Sequence, residues 1–330
     1  MCGQKSLVYG TLLVPRGGSL LQAAFVHYTG IILHRAILNG NLLPFSNVIK
    51  IKIIMKKKII QSAFLLTVLS VTFIACKKDD PAPPAPTLVK EWTIPLAAKN
   101  ENNPPAGRTE MGSANLQLLS DNTIKYTIAV TGLAAGDVLN AAHIHTGDVI
   151  TNGPVIVGLS PVFTGANASG TVTGLRTTFI DSLKNNVNEL YFNVHSVQVP
   201  SGLVRGQLNT NIEMAEFVTL SGTNEVPAVT TTATGTALLR LTSDKKLYTK
   251  ITVINLDAGD VLAAAHIHKA AAGANAGIFL GLYSTAAEFG VTKIISLTDP
   301  AVITSLKTDP MYVNVHSTLK PGGLVRGQIR

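Results

Sequence analysis

Six histidines of this 330-residue chain fall into one pattern that occurs twice. They are His143, His145 and His195 in the first copy, and His266, His268 and His316 in the second. An imidazole can bind a metal, transfer a proton or make one fixed buried hydrogen bond. The chemistry of this sequence therefore depends on what three imidazoles do in each copy.

The histidines belong to two longer blocks, and each block recurs later in the chain. Residues 134–145 (AAGDVLNAAHIH) match residues 257–268 (DAGDVLAAAHIH). Residues 191–208 (YFNVHSVQVPSGLVRGQL) match residues 311–329 (MYVNVHSTLKPGGLVRGQI). A repeat of this length indicates a duplicated domain, because solenoid repeats are only about 20 to 50 residues long.

We predict a first domain at residues 88–210 and a second at residues 213–330. Apolar residues alternate with polar ones in 123–133 and in 246–256, which is the period of a strand with one buried face. The buried faces would carry Ile124, Tyr126, Ile128 and Val130 in the first domain and Leu247, Thr249, Ile251 and Val253 in the second. Short strands separated by turn residues predict a β-sandwich or Greek-key barrel in each domain.

One short helix per domain is expected before the strand that carries the third histidine. In the second domain Asp299 is suited to cap it, Pro300 to take the first helical position, and the helix ends near Lys307. Its counterpart at 178–185 has a less clear cap. The predicted fold class is all-β, with one short helix in each of two tandem domains.

The spacing of the histidines predicts a cluster. Residues i and i+2 of a strand point to one face, so His143 and His145 project together, as do Asn193 and His195. If the two strands are neighbours, three imidazoles converge, and three histidines with an open fourth position can bind zinc or copper. Asn193 would then orient a ligand without binding the metal itself. The second copy repeats the set with His266, His268, His316 and Asn314.

A metal-free interpretation stands beside this one. Buried histidines that hydrogen-bond to each other, to an asparagine and to backbone carbonyls can join two strands without any metal. The duplication does not separate the two, because both copies inherit what their ancestor needed.

Arg205 and Arg326, each in an LVRGQ segment, also have two interpretations. A guanidinium beside the histidines could face an anion or a substrate. Alternatively it fixes the turn through a hydrogen bond or an ion pair, because such structural pairs are common. In that case Asp137 and Asp260 are the expected partners.

The N-terminal region is typical of an export signal. Three lysines after Met55, an apolar run and a small residue before Cys76 resemble a bacterial lipoprotein signal peptide. We predict a signal peptide at 55–75 and lipidation of Cys76, with an uncleaved membrane anchor as the alternative. Residues 1–54 have no place upstream of such a signal, so they are either a non-native extension or disordered. Residues 76–87 would be a Pro-rich tether.

Charge and cysteine content exclude several function classes. Residues 1–75 carry eight of the 27 lysines and arginines and no acid, which leaves 19 bases against 19 acids in 76–330. A neutral body predicts no nucleic-acid partner. Cys2 and Cys76 are the only cysteines, so no disulfide or thiolate metal site is expected in the domains. Nucleophile-elbow, paired-carboxylate and phosphate-loop motifs are also missing.

The blocks AAHIH, NVHS and GLVRGQ together resemble the CHRD domain, a family named for the secreted regulator chordin. The resemblance covers roughly 88–210 and 214–330. It implies an immunoglobulin-like barrel with a remote likeness to copper-zinc superoxide dismutase, and it implies no established activity. The dismutase likeness includes an H-x-H pair and a later histidine, which are copper ligands there, and an arginine that Arg205 and Arg326 match. This chain lacks the bridging histidine, a separate zinc site and the disulfide of that enzyme.

The sequence therefore supports one leading hypothesis and two alternatives. The leading hypothesis is a non-enzymatic, lipid-anchored exported protein whose two CHRD-like domains act as binding or scaffold modules, with a copper or zinc site in each. The alternatives are a copper-dependent redox enzyme and a purely structural surface protein. The expected location is the outer membrane, facing either the cell surface or the periplasm, and an extracellular or periplasmic protein or small ligand would be the partner.

Overall fold

The computed structural model describes residues 84–186 and 188–330, together with two paired two-residue strands, Ile37–Leu38 and Asn41–Leu42. The predicted signal peptide, Cys76, most of the tether and the rest of 1–54 lie outside the described residues. Within the described part of the chain, no helix has the length and apolar character needed to span a bilayer.

The first half of the described chain forms eight strands and one helix. In chain order they are β1 Leu88–Ala97, β2 Met111–Leu119, β3 Ile124–Thr131, β4 Leu139–Thr146, β5 Val155–Gly158, β6 Asn167–Val172, α1 Thr177–Asn185, β7 Leu190–Ser196 and β8 Val204–Gln207. The strands form one curled sheet in the order β5-β4-β7-β8-β1-β2-β3-β6. The sheet curls around a core that includes Ile94, Leu116 and Phe192.

The second half repeats this arrangement. Its elements are β9 Ile212–Ser221, β10 Thr234–Thr242, β11 Lys246–Ile254, β12 Leu262–His268, β13 Ile278–Tyr283, β14 Lys293–Ser296, α2 Pro300–Thr308, β15 Tyr312–Ser317 and β16 Val325–Gln328. The sheet order is β13-β12-β15-β16-β9-β10-β11-β14, strand for strand that of the first half. The prediction of two all-β domains, each with one short helix, is confirmed.

The predicted periodicities are visible in the packing. Every second residue of β3 from Ile124 to Val130 is buried, which is the pattern of a strand with one face on the core. In β11 the predicted face buries Leu247, Thr249 and Ile251, while Val253 is partly buried.

The helix of the second domain begins as its sequence predicts. The Asp299 side chain accepts a hydrogen bond of 2.8 Å from the Ala301 amide, which satisfies one of the free N–H groups of the first turn. The helix α1 of the first domain makes no such side-chain cap at Arg176. Both helices cover part of the core through buried leucines, Leu183 and Leu306.

Candidate metal centre

The pairing of β4 with β7 brings the histidines of the first domain together. The register opposes His143 to Asn193, His145 to Tyr191 and Ala141 to His195. Cross-strand partners share a face of the sheet, so the three imidazoles, the amide and the phenol ring project on one side. The intervening residues Ile144, Phe192 and Val194 point into the core.

The second domain repeats this register between β12 and β15. His266 opposes Asn314, His268 opposes Tyr312 and His316 opposes Ala264. Each triad has one ring nitrogen per histidine that lies within 4.8 Å of those of the other two.

The two triads have almost the same shape. Ring centroids of His143 and His145 are 5.7 Å apart, and those of His266 and His268 are 5.9 Å apart. The first and third rings of each triad are separated by 4.9 Å and 5.0 Å, and the second and third by 6.4 Å in both. The local sequence therefore fixes one geometry twice.

Backbone carbonyls set the tautomers of the second and third histidines. His145 Nδ1 lies 3.0 Å from Gly153 O, and His195 Nδ1 lies 3.0 Å from Pro200 O. A carbonyl only accepts, so each neutral ring carries its proton on Nδ1 and presents the lone pair of Nε2 to the cluster. His268 and His316 are held in the same way by Ala276 O at 2.9 Å and Pro321 O at 3.0 Å.

Several of the ring nitrogens that face the cluster make no hydrogen bond among the described residues. Among the described residues, the buried atoms without a hydrogen-bond partner include His145 Nε2, His266 Nδ1, His268 Nε2 and His316 Nε2. Such orphaned buried atoms are uncommon, and a bound ion is one of the explanations for them. In the first domain His143 Nδ1 instead lies 3.0 Å from His195 Nε2. Two imidazoles of the first triad are therefore hydrogen-bonded to each other, whereas His266 Nδ1 and His316 Nε2 of the second triad have no partner among the described residues.

Burial keeps the imidazoles neutral. Desolvation lowers the pKa of His143, His145 and His195 in the first domain, and the neighbouring imidazoles lower the pKa of His145 and His195 further. Burial also lowers the pKa of His266 and His316. Only the neutral ring has a free lone pair, so the surroundings favour the form that binds metal.

Behind each triad lies a stack of three planar groups. Tyr191 stacks on His145 with centroids 4.7 Å apart, and the Arg205 guanidinium lies 3.5 Å from the centroid of the Tyr191 ring. In the second domain the corresponding separations are 4.8 Å for Tyr312 on His268 and 3.3 Å for Arg326 on Tyr312. Stacking of this kind fixes the plane of the histidine ring.

The two arginines fix the loop that orients the histidine. Arg205 is fully buried and donates to Asn152 Oδ1 at 2.8 Å, Asp148 O at 2.5 Å and Thr151 O at 3.0 Å. This loop continues to Gly153, whose carbonyl accepts from His145. Arg326 donates to Asn275 Oδ1 at 3.0 Å and to Ala274 O at 2.8 Å, so it holds the matching loop.

The predicted partners of these arginines, Asp137 and Asp260, are wrong. Asp137 pairs with Arg108 at 2.5 Å, and this contact lowers the pKa of Asp137 to about 2 against the opposing effect of burial. Asp260 accepts from Ser317 Oγ at 2.7 Å and from Thr318 Oγ1 at 3.0 Å. Burial also removes the solvent-facing anion site, because neither guanidinium reaches the surface.

The asparagines contact a residue that the sequence reasoning missed. Asn193 Nδ2 donates to Glu101 Oε1 at 2.7 Å, and Asn314 Nδ2 donates to Glu225 Oε2 at 3.2 Å. Burial raises the pKa of both carboxyls to about 7, against the opposing charge of Arg205 or Arg326. The same contact between an asparagine and a glutamate occurs in both copies. The recurrence of this glutamate in the two repeats is the sequence feature that could have identified it.

A family model of the CHRD domain matches residues 92–208 and 217–329. The chain belongs to the CHRD domain family. No curated protein and no solved structure matches it.

Both CHRD domains of this chain therefore carry a histidine triad, and the donor set of each triad fits a metal ion. Around a tetrahedral zinc with bonds of about 2.0 to 2.1 Å, ligand nitrogens lie roughly 3.4 Å apart. The ring nitrogens of each triad lie within 4.8 Å of one another, so a bound zinc ion would draw them closer together. Three imidazoles leave a fourth position open to water or a ligand.

Proposed function

We propose that each CHRD domain of this protein binds one zinc or copper ion through its three histidines. His143, His145 and His195 hold the ion in the first domain. His266, His268 and His316 hold it in the second. The protein acts as a binding module rather than as an enzyme.

The observation that carries this proposal is the direction of the ring nitrogens. A histidine network that only joined strands would use both nitrogens of each ring in hydrogen bonds. Here backbone carbonyls occupy one nitrogen of His268 and one of His316, and the other nitrogen of each ring is buried without a partner among the described residues. The third nitrogen of that cluster, on His266, is equally free.

The chemical class of the metal follows from the ligands. Neutral imidazoles suit zinc and copper, whereas calcium and magnesium prefer carboxylate and carbonyl oxygens. The buried carboxyl of Glu101 bonds to Asn193, so it supports the site without supplying a ligand.

The anchored location is part of the same proposal. A lipid on Cys76 and a tether at 76–87 would hold the two domains at the outer membrane, on its surface or its periplasmic side. There they would meet metal ions, small ligands or proteins outside the cytoplasm.

Metal content of the purified full chain tests the proposal. The chain is loaded with Zn²⁺ or Cu²⁺, freed of excess metal by gel filtration and measured by mass spectrometry. We expect two ions per chain, one for His145→Ala, one for His268→Ala and none for the double variant. Gln117→Ala, on a polar strand face away from the triads, is the matched control and should keep both ions.

Two results would contradict the proposal. Less than one ion per chain, or two ions retained by the double variant, would leave the histidines as strand-joining residues. Superoxide turnover by the copper-loaded chain that clearly exceeds that of free copper would favour the redox enzyme instead.

Acidification gives a second test of the ligands. Binding requires neutral imidazoles, and burial lowers the pKa of His143, His145 and His195. Metal bound at the first site should therefore persist to a pH below the ordinary histidine value of about 6.5 and be released as protons enter these three rings. Release with a midpoint well above this value would contradict the role of these rings.

A further inference from the structure

The loop that supports the first domain's site packs against the second domain. Val149 and Ile150, in the loop that Arg205 holds, are buried in a cluster with Tyr248 of β11. Leu238 of β10 and Ile212 of β9 pack against the same cluster. The loop that carries the Gly153 carbonyl, and thereby orients His145, thus rests on the outer face of the second sheet.

A buried arginine adds a second contact at the same place. Arg240 of β10 is fully buried and donates through Nη2 to the main-chain carbonyl of Glu101 at 2.7 Å. The Glu101 side chain in turn accepts from Asn193, which lies opposite His143 in the sheet. The second domain therefore contacts two supports of the first triad, the loop and the Glu101 turn.

Within the described residues, the equivalent sheet face of the first domain and the equivalent loop of the second lack these features. Arg240 opposes Tyr248 in the β10–β11 register, and Gln117 opposes Lys125 in the equivalent β2–β3 register. Lys125 is exposed, and Gln117 and Asn115 bond to Glu91 instead of to another domain.

The equivalent loops of the two domains also differ in the size and burial of their side chains. Where the first domain has Val149 and Ile150, the second has Ala272 and Gly273, and these two residues are exposed. Of the two equivalent loops and the two equivalent sheet faces, the loop and the face that meet carry the larger apolar side chains. This is the pattern of a specific interface, whose buried centre is apolar and anchored by tyrosine and arginine.

We propose that the second domain positions the first domain's metal site, so that metal affinity at His143, His145 and His195 depends on Tyr248, Leu238 and Arg240. The site at His266, His268 and His316 has no such dependence. This inference rests on the proposed metal binding. Tyr248 and Arg240 are positioning residues, which act through the loop at 147–153 and the Glu101 turn.

Zinc titration of the full chain with one site silenced tests this dependence. His268→Ala leaves the first site alone to bind, and Tyr248→Ala is then added. We expect zinc affinity to fall about 10- to 100-fold, as it does when supporting residues around a metal are lost. Tyr248→Phe keeps the ring and should restore the affinity.

A second variant covers the case in which Tyr248→Ala fails to fold. Leu238→Asn combined with Arg240→Gln gives the second domain the residues that the first carries at Asn115 and Gln117, where the same strand pair folds. It should weaken the first site to a similar extent. The matched control is Lys125→Ala in a His145→Ala background, which should leave the second site's zinc affinity unchanged.

The outcomes separate the two proposals. If His268→Ala alone binds one zinc ion and the interface variants change its affinity less than about twofold, well below the loss expected for a supporting residue, the positioning role is overturned and metal binding stands. If His268→Ala binds no zinc, both proposals fail together.

Discussion

The two histidine sites of this chain have closely similar interiors, apart from the His143–His195 hydrogen bond of the first, and different exteriors. Ring separations, carbonyl partners, stacked tyrosine and buried arginine are repeated from one domain to the other. Outside this shell the first site's loop is packed under Tyr248, and the second site's loop is exposed. The two domains keep the same cluster of imidazoles. The contact between the domains changes only the surroundings of the first domain's loop.

The largest expected effect concerns what the copies share. Arg205→Met and Arg326→Met each remove a buried cation and its bonds to a loop, and each leaves a buried glutamate without its nearby charge. We expect each variant to lower the free energy of unfolding by about 3 kcal/mol, because buried loop carbonyls lose a charged hydrogen-bond donor.

Urea denaturation of the full chain measures both arginine variants. Similar losses would support the equivalence of the two interiors. A loss below about 1 kcal/mol in either domain is the size of a surface ion pair and would mean that the arginine is not needed for its loop.

An intermediate effect is expected where the copies differ. Ile150→Ala removes buried methyl groups from the interface and should cost about 2 kcal/mol. Ala272→Ser, in the exposed loop of the second domain, should change stability by less than about 0.5 kcal/mol. Equal effects in the two variants would show that the loops are packed alike.

The smallest expected effect is a pH dependence that the copies share. A carboxyl whose pKa is near 7 when folded and about 4.3 when unfolded holds its proton better in the folded state. Stability from Glu101 and Glu225 is therefore present at acidic pH and lost as the pH rises from about 4 to 7.

The double variant Glu101→Gln/Glu225→Gln measures how much these two carboxyls contribute to the pH dependence of stability. Relative to the wild type it should gain about 1 kcal/mol of stability between pH 6.5 and 7.5, because an amide does not ionise. Thermal unfolding at both pH values measures the difference. A constant difference across this range would contradict the raised pKa of the two carboxyls.

The sequence predicted most of the fold from local rules. Alternation in β3, the cap and proline of α2, and the repeated blocks each follow from short-range constraints. The convergence of His143, His145 and His195 needed one further fact, the pairing of β4 with β7. Two strands so far apart in the chain become neighbours only through long-range strand pairing, which local sequence does not specify.

The remaining features depend on register and on tertiary packing. The stack of Arg205 on Tyr191 on His145 requires three residues from three strands to align. Asp137 and Arg205 both lie in repeated blocks, whereas Arg108, which pairs with Asp137, lies outside them. Glu101 follows Asn100 as Glu225 follows Asn224, and this recurrence is the one sign of it in the sequence.

A crystal structure of the zinc-loaded full chain, with anomalous data collected at the zinc edge, decides whether the two triads bind metal. We expect one peak in each domain, bound by three imidazole nitrogens at about 2.0 to 2.1 Å. Both triads closed by direct imidazole hydrogen bonds, such as that of His143 to His195, with no peak between the rings, would contradict it.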